Sequence, residues 1–149
     1  MKNVFLLFVI LCSISCNIEP KPIEYGQDQC SACKMIISDQ RFGAELVTTK
    51  GKVYKYDAIE CLVPEVIKNG TEHYSHILVT DFYTPGILID VKESSFLIST
   101  AVPSPMGGNL SAYSAPHFAI SNKGESLGDI YDWDELLKNL VNLKRYSYQ

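Results

Sequence analysis

The sequence predicts an α+β fold built from two divergent ββαβ-like halves. Three observations carry this. Short strand-like runs dominate the chain, only two segments show helical periodicity, and the two helix starts share a motif. Tyr56-Asp57-x-x-Glu60 matches Tyr131-Asp132-x-x-Glu135, with a Lys-Gly pair ahead of each, at Lys50–Gly51 and Lys123–Gly124. In each motif the Asp can cap a helix, and the Glu at the third position can reach back in a capping box.

The chain opens as an export signal. "MKNVFLLFVILCSISC" places Lys2 ahead of an apolar run from Val4 to Cys12, then small residues up to Cys16. The run falls short of the roughly 20 apolar residues that span a bilayer, but it fits a secretory core. "SISC" reads as a bacterial lipobox, so residues 1–15 are expected to leave and Cys16 to carry lipid. Asn17 after that cysteine gives no inner-membrane retention signal. The expectation is a lipoprotein facing the periplasm, on the outer membrane. Residues 16–29 are polar, contain Pro20 and Pro22, and lack periodicity, so they read as a tether.

Residues 30–149 form the expected domain, with halves of roughly 30–85 and 86–149. "AELVTT" and "KVYKYD" flank Lys50–Gly51 as a hairpin. A helix is expected from Asp57, with Ile59, Leu62, Val63, Val66 and Ile67 as its apolar stripe. Pro64 lies inside it and should kink it or delay its start. "SHILVTDFY", "GILIDV", "SFLIST" and "HFAIS" read as further strands. The second helix starts at Asp132, its stripe supplied by Trp133, Leu136, Leu137, Leu140 and Val141. A net charge of −4 gives no basic surface to neutralise phosphates, so no nucleic-acid partner is expected.

The chemistry is concentrated in "CSACKMIISD", Cys30 to Asp39. Once Cys12 and Cys16 are set aside, Cys30, Cys33 and Cys61 remain. An odd number of thiols suits a disulfide-stapled scaffold poorly. Met35 directly follows the Cys-x-x-Cys pair. Met106 sits in "VPSPMGGN", between a proline and two glycines, in a loop where packing does not ask for a thioether. Thiolate and thioether ligands select Cu(I). In an extended segment Cys33 and Met35 would face one ion, with Cys30 as an exchange ligand and Met106 arriving from its loop. Two alternatives stand beside copper. A zinc site could pair Cys30 and Cys33 with His73 and His76, though the separation exceeds finger spacing and leaves the methionines unexplained. Thiol redox chemistry would want the Cys-x-x-Cys at a helix start, and "MIISD" is not one. Cys61 could be a third thiolate, but on an apolar helix a small buried cysteine is the commoner case. His73, His76 and His117 lack the serine or carboxylate neighbours of a hydrolytic set.

Taken together, "CSACKMIISDQRFGAELV", "GKVYKYDAIEC" and "VPSPMGGNLSAY" resemble the NosL family of copper-binding lipoproteins, accessory factors of nitrous oxide reductase. The first motif is the most specific. It departs from the family's Cys–Gly–Met core by carrying Lys34 in the middle. The resemblance covers nearly all of the expected mature chain and implies two related ββαβ-like halves. It also implies carriage of Cu(I), outside the cytoplasm, to the copper–sulfide centre of nitrous oxide reductase. It puts the sulfur ligands on Cys33 and Met35, with Met106 as the third and Cys30 auxiliary. It implies no turnover chemistry.

Overall fold

The computed structural model describes residues 18–123 and 128–142. The expected signal peptide, the lipidation site Cys16 and the second turn residue, Gly124, lie outside them. Two antiparallel sheets carry the fold. The first has four strands in the order β2-β1-β3-β4, with β1 (Ala44–Thr48), β2 (Val53–Tyr56), β3 (Tyr74–Thr80) and β4 (Leu88–Asp90). The second has the order β6-β5-β7, with β5 (Ser95–Ser99), β6 (Leu110–Tyr113) and β7 (Gly128–Tyr131). The first sheet thus runs on beyond residue 85. A parallel bridge between Asp81 and Ala112 joins the end of β3 to β6, and the Phe82 N–H donates to the Ala112 carbonyl (2.9 Å).

Among the described residues three α-helices complete the fold: α1 (Ile59–Asn69), α2 (Pro116–Lys123) and α3 (Trp133–Asn142). "HFAIS", expected as a strand, belongs to α2. Its apolar run is too short for periodicity to separate the two states. Pro116 decides it: proline at the first helical position has its φ already set and lacks only a donor that would go unused.

α2 also changes which parts of the chain correspond. In the first half a hairpin (β1, β2) leads into α1, and β3 returns on the other side of β1. In the second, β5 and β6 lead into α2, and β7 returns on the other side of β5. The counterpart of α1 is therefore α2. The aligned signature is Tyr56-Asp57-Ala58 before α1 and Tyr113-Ser114-Ala115 before α2, while α3 follows the second unit. Two ββαβ halves are present, but the Tyr-Asp-x-x-Glu match joined helices that are not equivalent.

The two expected capping boxes part company. At α3 the box forms: the Glu135 N–H donates to Asp132 Oδ1 (2.8 Å) and the Asp132 N–H to Glu135 Oε2 (3.0 Å). At α1 it does not. The N-cap is Ala58, with no side-chain cap bond. Asp57 lies in the bend before the helix, and its backbone N–H serves the Cys30 sulfur instead. Glu60 is buried, and its carboxyl group is taken up by its own N–H and by Ser104. The helix starts a full turn ahead of Pro64 and runs through it.

Ile59, Leu62, Val63 and Val66 of α1 meet Leu46 and Val79 of the first sheet. Phe96 and Leu110 extend the same core from the second sheet, and Trp133, Leu136 and Leu140 from α3. Val141, expected in the α3 stripe, is exposed. β1 is buried on both faces, so its alternation is hidden: α1 covers one side and residues 18–29 the other. That segment, read as a tether, is tied to the sheet from Ile18 on. His76 Nε2 meets the Ile18 carbonyl (3.2 Å), and the Lys21 N–H donates to the buried Glu45 carboxylate (3.0 Å). Lys55 Nζ donates to the Pro22 carbonyl (2.6 Å). Gly43 admits the strap, since a Cβ there would stand 2.6 Å from the Tyr25 hydroxyl.

Candidate metal centre

"CSACKMIISD" folds as a tight turn. Gln29 and Ile36 form an antiparallel bridge, and the Cys30 N–H donates to the Met35 carbonyl (2.8 Å). The Lys34 N–H closes the turn on the Cys30 carbonyl (3.0 Å). The extended path expected from Cys33 to Met35 is therefore broken at Lys34, whose φ is +66°. This is the left-handed region that glycine adopts most easily. The Lys34 ammonium folds back to the Ser31 carbonyl (2.7 Å). The Ser31 N–H binds the Lys55 carbonyl (2.7 Å), and Lys55 Nζ pairs with Asp28 (2.6 Å), so the turn is fastened to β2.

Lys34→Gly should thus keep the turn and remove its strain. The left-handed conformation costs an L-residue about 1–2 kcal/mol, part of which glycine returns through its freer unfolded chain. The expected net gain is about 0.5–1 kcal/mol, read as a higher urea midpoint with an unchanged slope. A lower midpoint would show that the exposed Lys34–Ser31 bond outweighs the strain.

The turn supplies two sulfurs and α1 a third. Cys30 is fully buried, Cys61 is 6% exposed in the first turn of α1, and Cys33 is half-buried. All three are free thiols, and their Sγ atoms lie within 4.8 Å of one another. The Cys61 thiol draws the Cys30 sulfur well below the ordinary thiol range. The backbone N–H groups of Asp57, Cys33 and Ala32 add to this, against the opposing effect of burial. Cys61 is pushed up, by its bond to Cys30, by burial and by the negative charge that Cys30 and Cys33 would carry. Within the trio, Cys30 is thus biased towards the thiolate and Cys61 towards the protonated thiol. A cation that enters takes the proton's place, as thiolate metal sites require.

The other expected ligands lie differently. Met35 is 47% exposed, next to the turn. Met106 is 39% exposed in the β5–β6 loop, on the wall of a cavity of about 790 Å³ whose lining contains no cysteine. Among the described residues no histidine joins the thiols. His73 stands 3.6 Å from Glu72, His76 holds the strap, and the His117 ring lies 4.0 Å from that of Phe118. The second ligand pair of the zinc alternative is therefore not assembled here. Cys61 is the member that sequence reading set aside. Its signal was present in the odd thiol count, but burial is the ordinary fate of a cysteine on an apolar helix face.

Comparison with known proteins agrees with this architecture. A solved structure, the crystal structure of the copper chaperone NosL from Shewanella denitrificans, superposes with a TM-score of 0.67 at 18% identity. The match covers 79% of this chain and 95% of that one. No curated protein matches the sequence. The sequence fits the NosL family over residues 22–141, from within the strap through the turn, both hairpins, α1, α2 and all but the last residue of α3. With that span matched and the fold shared, the chain belongs to the NosL family.

Proposed function

We propose that this protein is an extracytoplasmic Cu(I) carrier that supplies copper for the copper–sulfide centre of nitrous oxide reductase. It binds and hands over an ion and catalyses no reaction. The observation that carries the reading is the convergence of three thiols from two separate elements within 4.8 Å. Soft sulfur donors in a set short of four suit Cu(I), which accepts low coordination, better than structural Zn²⁺, which takes four ligands. Cys33, the most accessible of the three, receives the ion. Cys30 and Cys61 stand behind it, and the Met35 and Met106 thioethers complete the choice of ligands. A partly exposed sulfur ligand such as Cys33 can pass copper to a recipient by ligand exchange.

The protein is anchored through lipid on Cys16, facing the periplasm from the outer membrane. In sequence only Asn17 separates that cysteine from the strap, which is bound to the first sheet from Ile18 on. The anchor therefore holds the domain close to the bilayer.

Metal competition tests the reading. Purified protein, kept reduced and offered equimolar Cu(I) and Zn²⁺, is expected to retain one copper per chain and little zinc after desalting. Circular dichroism should be unchanged by a chelator, because the core above does not depend on the metal. Preferential retention of zinc, or unfolding on chelation, would replace carriage with a structural metal site.

A further inference from the structure

Glu60 precedes Cys61 in the first turn of α1 and is 6% exposed. Its carboxyl group takes its own backbone N–H, one of the first-turn donors of the helix. It accepts a hydrogen bond from the Ser104 hydroxyl, in the loop that joins β5 to β6. Ser104 in turn organises that loop: its Oγ takes the Asn109 N–H (2.9 Å), and its carbonyl takes the Gly107 N–H (3.0 Å). The chain passes hard against the carboxyl group. A Cβ on Gly108 would stand 2.7 Å from Glu60 Oε1. Gly107 and Asn109 both have positive φ, +74° and +58°, so the path is tightly bent. Met106 lies within this loop, on the wall of the cavity that Glu60 also lines.

A buried carboxyl is costly unless its partners repay it. Burial pushes the Glu60 carboxyl up, while Ser104 and the N–H groups of Glu60 itself, Leu110 and Gly108 pull it back. The equivalent loop of the first half, between β1 and β2, is a short turn at Lys50–Gly51 that needs no such post. The second-half loop is longer, carries Met106, and is pinned to the helix turn that supplies a thiol.

We propose that Glu60 is a positioning residue for copper binding: it holds the Met106 loop on the first turn of α1, so that the thioether and the Cys61 thiol are presented from one rigid turn. This rests on the Cu(I) reading above and adds the residue that couples its two parts. Glu60 does not touch the ion. Removing a supporting hydrogen-bond partner of a metal site typically costs on the order of 10- to 100-fold in affinity.

A mutant cycle with Cu(I) competition titration tests it. Glu60→Ala and Ser104→Ala are each expected to weaken Cu(I) by roughly that factor. Glu60→Gln keeps an acceptor for Ser104 and should restore most of the affinity. In a Met106→Leu background, Glu60→Ala should cost nothing further, because the group it positions is gone. Hydrogen exchange across residues 100–109 should quicken in Glu60→Ala while α1 stays protected. If Met106→Leu weakens Cu(I) and Glu60→Ala adds its full loss on top, the coupling proposal fails and the ligand reading survives. If Met106→Leu binds like wild type, the thioether reading fails and takes this proposal with it. A Glu60→Gln variant as weak as Glu60→Ala, with no change in loop exchange, overturns the positioning role.

Discussion

Cys33→Ser is expected to weaken Cu(I) by more than the roughly 100-fold lost when only a supporting hydrogen-bond partner is removed. Cys33 is the half-buried thiol of the trio, while Cys30 and Cys61 are sealed beneath it. Without it an incoming ion meets only the neutral Met35 thioether at the surface of the turn. A serine hydroxyl is a hard, neutral oxygen and a poor substitute for Cu(I). The fold should survive, since the turn is closed by backbone bonds from Cys30 to Met35 and from Lys34 to Cys30. Cu(I) competition against a chromogenic chelator, with circular dichroism alongside, reads both quantities. Wild-type affinity in Cys33→Ser combined with loss in Cys61→Ser would move the anchor to the buried pair.

Phe96→Ala should lose about 3–5 kcal/mol of folding free energy, the usual range for deleting a buried aromatic ring. Phe96 is fully buried at the centre of the second sheet, between Ala112 of β6 and Tyr131 of β7. Its ring stands 5.5 Å from that of Trp133, the residue that docks the start of α3. The ring therefore links β5 to α3 within the core that both sheets share. Total stabilities of about 5–15 kcal/mol make such a loss a large share. Chemical denaturation should show a lower midpoint with little change in slope. Where the variant remains folded, copper stoichiometry should match wild type, because the thiol turn is fastened to β2 and α1. A loss under about 1 kcal/mol would mean that the cavity closes without penalty and that α3 is held by other contacts.

Two readings of local sequence show where pattern stops being enough. Tyr-Asp-x-x-Glu occurs twice, and each copy could form a capping box. Only Asp132–Glu135 does, because that helix starts at an exposed end where nothing competes for the side chains. Glu60 has a loop packed on it, and the Asp57 N–H has a thiol to serve. Local chemistry was identical, and the surroundings chose differently. "HFAIS" was ambiguous for a different reason, since five residues cannot register a period of two against one of 3.6.

From residue order alone came the α+β class, the hairpin around Lys50–Gly51, the helical stripes of α1 and α3, and the crowding of sulfur between Cys30 and Met35. These follow from features local in the chain: periodicity, turn residues, and the chemical softness of closely spaced sulfur. The tertiary structure decided what the local pattern could not. It paired β2-β1-β3 with β6-β5-β7 and so made α2 the counterpart of α1. It also bound residues 18–29 across β1, brought Cys61 to within 4.8 Å of Cys30 and Cys33, and turned Glu60 towards Ser104. The physical reason is the same in each case. These contacts join residues far apart in sequence, and what selects them is the burial of shared surface when the two halves close on one core.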